Sequence, residues 1–158
     1  SYPFEWSNGQ ETQLALALNI NSSSLESDAS AFLNEEDRFD FENEDPSVRW
    51  NLTANHNVGD LSIMARARYY GESDNSNSSG NLVIQTFEST LFMDLEATYR
   101  FTDNWMISVG GRNIFDAYPD RTDKVASNND QCCGRQYVSG GIVPWQGGYY
   151  YSRLAVSF

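Results

Sequence analysis

Three features of the sequence predict an all-β chain of antiparallel strands: a period-two alternation of apolar and polar residues, the lack of a convincing helical repeat, and connections that alternate between short and long. The first alternating segment is "TQLALALNI", where Leu14, Leu16, Leu18 and Ile20 oppose Gln13, Ala15, Ala17 and Asn19. In "VRWNLTANH", Val48, Trp50, Leu52 and Ala54 oppose Arg49, Asn51, Thr53 and Asn55. "LSIMARARYY" sets Leu61, Ile63, Ala65, Ala67 and Tyr69 against Ser62, Met64, Arg66, Arg68 and Tyr70. The most regular segment is "STLFMDLEATYRF". Its Leu91, Met93, Leu95, Ala97, Tyr99 and Phe101 share one face, with Phe92, Asp94, Glu96, Thr98 and Arg100 on the other. "NWMISVGGRN" places Trp105, Ile107, Val109 and Gly111 opposite Met106, Ser108, Gly110 and Arg112. The closing "YYYSRLAVSF" makes the sixth, with Leu154, Val156 and Phe158 on one face.

Short turns are expected at "SNGQ", "VGD" and "TDN", and long polar excursions through 25–46, 72–85 and 116–146. Short turns on one side and long loops on the other are the habit of β-barrels that cross an outer membrane. Each strand is long enough to cross at a tilt. Strand charges fall on the polar face, which a soluble β-sandwich would also arrange. The aromatic residues discriminate: Tyr99, Phe101, Trp105 and Phe158 gather at the short-turn end, and Tyr69, Tyr70 and Tyr149 to Tyr151 at the long-loop end. Two such belts are selected by membrane interfaces, whereas a sandwich core holds its large aromatics mid-strand. The fold class expected is therefore an antiparallel transmembrane β-barrel. Six strands leave an open edge, which lipid does not tolerate. "SYPFEWSNGQ" reads as the tail of a strand entering a turn, so residues 1–158 are expected to be the C-terminal portion of a larger barrel.

Composition agrees. Acidic residues outnumber basic ones 22 to 10, for a net charge of −12, which argues against nucleic-acid binding. No segment has the apolar length of a membrane-spanning helix, and no signal peptide opens the chain.

The stretch "YRFTDNWMISVGGRNIFDAYPD" resembles the C-terminal region of TonB-dependent outer-membrane receptors. Tyr99, Arg100, Phe101, Thr102, Asp103 and Asn104 supply a strand end and its turn, and Asn113, Ile114, Phe115, Asp116, Tyr118 and Pro119 the closing element. "IMARARYYGE" resembles another recurrent strand end of that family. The terminal "RLAVSF" matches the signal read by the barrel-assembly machinery, with Phe158 as its key residue. The resemblance covers 47–158 well and 1–46 more loosely. It implies the last six strands of a 22-stranded barrel in the outer membrane of a Gram-negative bacterium. Its implied partners are the plug and remaining strands of the same receptor, the TonB–ExbB–ExbD complex acting through the plug, and lipopolysaccharide. The implied activity is energy-coupled import of a scarce nutrient such as a ferric siderophore. A passive porin or autotransporter barrel shares the strand pattern but not "NIFDAYPD" at this position. A soluble β-sandwich binding module is the third reading.

Several residues are candidates for chemistry. Arg66, Arg68, Arg112 and Arg153 face the expected lumen, where they suit an anionic ligand or salt bridges to a plug. Asp94, Glu96 and Arg100 share that face; an acid pair suits general acid/base work, but cross-strand pairing with the arginines accounts for them more simply. Arg135, Tyr137 and Trp145 lie in the last long loop and are candidate ligand contacts at the outer mouth. That loop also carries the vicinal pair Cys132 and Cys133. These cysteines suit a structural disulfide that stiffens the loop, a bond to another chain, or a soft metal, and the first is favoured. "NEEDRFDFENED" packs seven carboxylates around Arg38. Asp37, Asp40 and Glu42 are weak candidates for Ca²⁺, but the spacing is not that of an EF-hand, and a solvated loop is the favoured reading. No cofactor is expected, and no catalytic motif suggests an enzyme.

Overall fold

The computed structural model describes residues 1–26, 32–76, 82, 84–122, 136–138 and 141–157. Among them, seven strands form one antiparallel sheet: β1 (Tyr2–Glu5), β2 (Glu11–Ile20), β3 (Val48–Val58), β4 (Leu61–Tyr70), β7 (Thr90–Thr102), β8 (Trp105–Arg112) and β9 (Tyr149–Val156), in that spatial order. All six expected strands are present, and the opening tail adds β1 at one edge. The sheet is open, with β1 and β9 at its two edges.

Register preserves the alternation across the whole sheet. Leu16 pairs with Leu52, Leu52 with Ala67 and Ala67 with Met93, while Tyr99 pairs with Ile107 and Ile107 with Leu154. One face is thus predominantly apolar, with Thr12, His56 and Ser152 as polar members, and it is uncovered: Leu16 is 65% exposed, Leu154 59% and Tyr150 75%. A water-soluble sandwich would bury this face.

The short connections are tight turns at the end of the sheet formed by the C-termini of β1, β3 and β7. Gly9 and Gly59 supply positive φ values of 77° and 56° there, a conformation that costs glycine little. Tyr99, Phe101, Trp105 and Trp6 cluster around these turns, and Tyr99 meets Phe101 edge-on at 5.0 Å. At the opposite end Trp50 stacks on Tyr69 at 5.3 Å. Register moves three residues out of that second belt. Tyr70, Tyr149 and Tyr151 stand on the polar face, since Tyr70 pairs with Arg49, Tyr149 with Arg112 and Tyr151 with Gly110.

The long connections hold structure that alternation does not disclose. The first contains a helix, α1 (Glu35–Asn43), and the second a hairpin of β5 (Ser73–Ser76) and β6 (Ile84–Phe87). The expectation of no helix is thus corrected. Asn34 caps α1 by accepting the Asp37 N–H at 2.7 Å, and Glu35, Glu36 and Asp37 fill its first turn. Acids there favour the positive end of the helix dipole. The helix buries no residue and has no apolar stripe, which is why periodicity misses it. It docks on β5, with the Ser76 N–H donating to Asp40 at 2.6 Å. No helix among the described residues is long and apolar enough to cross a membrane.

Candidate functional site

The polar face of the sheet is organised by two acids on β7. Asp94 is 4% exposed. It accepts Arg68 Nη2 at 3.0 Å and the backbone N–H of Asn113 at 2.9 Å. Arg68 also lies over the ring of Phe92 at 5.3 Å, and Tyr70 meets the same ring edge-on at 5.9 Å. Glu96 takes the hydroxyl of Tyr151, two strands away. That reach is possible because Gly110 stands between them: a Cβ there would lie 2.8 Å from the Tyr151 ring. Arg66 Nε donates to Thr53 at 3.2 Å, and Arg153 lies over the Tyr151 ring at 5.8 Å. Arg112 is exposed at the long-loop end of β8. The expected cross-strand pairing is realised for Arg68 and Asp94, diagonally, since the residue directly opposite Asp94 is Arg66.

"NIFDAYP" acts as a clasp. Asn113 and Asp116 adopt positive φ values of 49° and 53°, which asparagine and aspartate tolerate through local hydrogen bonds. The Asn113 amide donates to Ala117 O at 2.8 Å and accepts the Ala117 N–H at 2.9 Å, while Asp116 accepts the Gly148 N–H at 2.7 Å. The outgoing and returning limbs of the longest loop are thereby tied together at their base. Higher up, the Thr122 N–H donates to Gln136 O at 3.0 Å, and Tyr118 stacks on Tyr137 at 6.2 Å. The Asp116 carboxylate, accepting the Tyr118 hydroxyl, holds that phenol above its ordinary pKa.

Above the clasp the three long loops converge on a cavity of about 40 Å³. The first loop contributes Glu44 and Pro46, the second Phe87 and Glu88, and the third Asp120, Tyr137, Ile142 and Trp145. Asp120 accepts the Glu88 N–H at 2.7 Å, and Gln85 donates to Arg121 O at 2.9 Å, bonding the second loop to the third. Burial, with Asp40 and Asp45 close by, pushes the Glu44 carboxyl up; burial likewise raises that of Asp40, opposed by its bond from Ser76.

Of the sequence candidates, Tyr137 and Trp145 both line this cavity, whereas Arg66, Arg68 and Arg112 belong to the polar face of the sheet. Cys132, Cys133, Arg135 and Phe158 lie outside the described residues. Asp37, Asp40 and Glu42 do not converge: Asp37 donates its N–H to Asn34, Asp40 holds Ser76, and Glu42 accepts the Leu25 N–H at 3.0 Å. Among the described residues no group of three or more histidine, cysteine or acidic side chains is placed to hold a metal ion. Sequence reasoning missed Glu44, Phe87 and Asp120 as lining residues. The apolar run "GIVPW" inside a polar loop was the available signal, because such residues seek cover.

No protein-family model matches the sequence, and neither does any curated protein. Two solved structures are similar in fold, both mutants of the ferric enterobactin receptor PfeA from Pseudomonas aeruginosa. Each matches 99% of this chain with a TM-score of 0.62, at 18% and 20% sequence identity. The chain spans about a fifth of either receptor, 21% of its length. The likeness is one of fold: the chain matches part of a β-barrel, and the open sheet accords with that share.

Proposed function

We propose that this chain is the C-terminal part of the barrel of a TonB-dependent outer-membrane receptor, and that the whole receptor imports a scarce nutrient too large or dilute for passive pores. The observation that carries the reading is the two-sided sheet: a predominantly apolar uncovered face, a polar face holding the Arg68–Asp94 pair, and three long loops joined over one end. A lipid-facing wall around a lumen needs that arrangement. The fold likeness to PfeA and the "NIFDAYPD" element both support it.

In this reading the apolar face meets lipid and lipopolysaccharide, and the polar face lines the lumen around a plug carried elsewhere in the receptor. The TonB–ExbB–ExbD complex acts on that plug from the inner membrane. Loops 25–46, 72–85 and 116–146 lie outside the cell and receive the ligand. Arg68 is committed to Asp94, so it serves wall integrity, while Arg112, exposed at the long-loop end, meets plug or ligand. Mass spectrometry of the detergent-extracted particle tests the assignment. A plug domain and the remaining strands are expected with this chain. A particle of this chain alone, soluble without detergent, would refute the assignment.

A further inference from the structure

We infer that the cavity between the three long loops is a binding site for a cationic group, an ammonium or guanidinium carried on an apolar or aromatic ligand body. The inference rests on the receptor reading above and names the ligand class its loops admit.

Charge is the first ground. Glu44, Glu88 and Asp120 line the cavity, and no lysine, arginine or histidine is among its described lining residues. Ion pairs among the described residues join Arg38 to Glu42 and Arg68 to Asp94, and neither involves the three lining carboxylates. Asp120 does hold the Glu88 N–H, which fixes its carboxylate at the wall. Glu44 is the most enclosed of the three, with its carboxyl raised by burial and by the charges of Asp40 and Asp45. A bound cation would relieve that repulsion, whereas an anion would add to it.

Aromatic lining is the second ground. Phe87, Tyr137 and Trp145 line the same space, and Trp145 is 56% exposed. Rings beside carboxylates attract a cation through their faces while covering the apolar part of its carrier. Size is the third. A volume of about 40 Å³ is a few times the roughly 10–15 Å³ that holds one water. It admits one terminal group of a ligand, with the remainder lying across the loops. Arg66, Arg68, Arg112 and Arg153 stand apart on the sheet, and Arg66 and Arg68 already have partners.

A charge series on one carbon skeleton tests the inference: phenethylamine, neutral phenethyl alcohol and phenylacetate, each titrated into the detergent-purified receptor by calorimetry at low salt. Phenethylamine is expected to bind about tenfold more tightly than either of the others, with the advantage shrinking as salt rises. Glu44→Gln should remove most of that advantage and leave phenethyl alcohol unchanged. Trp145→Ala should weaken all three. Equal affinities, or preference for phenylacetate, in the unaltered protein would overturn the inference without reference to any variant. The two proposals also fail separately. A particle lacking plug and remaining strands but preferring the amine removes the receptor reading alone. A complete receptor without that preference removes this inference alone.

Discussion

Asp94 receives one N–H from the arginine of a neighbouring strand and one from the backbone at the foot of the longest loop. It therefore links the integrity of the wall to the placement of the loop. Asp94→Ala leaves the Arg68 guanidinium, only 21% exposed, without its counter-charge, and leaves the Asn113 N–H without an acceptor. Removing one partner of such a pair costs about 3 kcal/mol, at the low end because some water reaches Arg68. Asp94→Asn keeps an acceptor for both donors and is expected to cost about 1 kcal/mol. Urea unfolding from lipid vesicles, followed by tryptophan fluorescence, measures both. Equal and negligible losses would mean that the pair holds nothing together. The inward position of Asp94 was legible from alternation alone. Its bond to Asn113 was not, because that depends on a left-handed turn which a one-dimensional pattern does not encode.

Helix α1 is the element on which sequence reasoning failed, and for a physical reason. Its signals are local, an Asn34 cap and an acidic first turn, and it presents no apolar stripe for periodicity to detect. The β5–β6 hairpin is similarly hidden, since four-residue strands such as "SDNS" are too short and too polar to alternate. The long strands were readable because two unlike surroundings act on every second residue. The docking of α1 has a definite pH dependence. Asp40 and Glu44 have carboxyls raised above their ordinary values of 3.8 and 4.5. The folded loop thus holds more protons than the unfolded chain just above those values. Their contribution to docking is present below the ordinary values and is lost as pH rises through the raised ones. Hydrogen exchange of the α1 amides, corrected for intrinsic rates, should show stronger protection near pH 4 than near pH 7. Replacing both residues, Asp40→Asn with Glu44→Gln, should flatten the difference. Protection that grows with pH would reverse the assigned cause.

For the whole molecule, the sequence disclosed the two-sided sheet and the side on which the long loops lie, but not where those loops meet. Tyr137 and Trp145 were foreseen as contacts, whereas Glu44, Phe87 and Asp120 come to the same cavity from positions far apart in the chain. Only the register of β3, β4, β7 and β8 brings those positions together. The central claim is that one face of this sheet meets lipid and the other does not. Nitroxide labels placed in turn at Leu16, Leu18, Leu95 and Leu154, and at Ala17, Glu96 and Arg153, test it in lipid vesicles, with Cys132 and Cys133 replaced by serine. Collision rates with oxygen and with a water-soluble nickel chelate then report the surroundings of each label. The first set should favour oxygen and the second should not, alternating residue by residue between positions 16, 17 and 18. Ready access of the nickel chelate to both sets would contradict a membrane wall and return the chain to a water-soluble β fold.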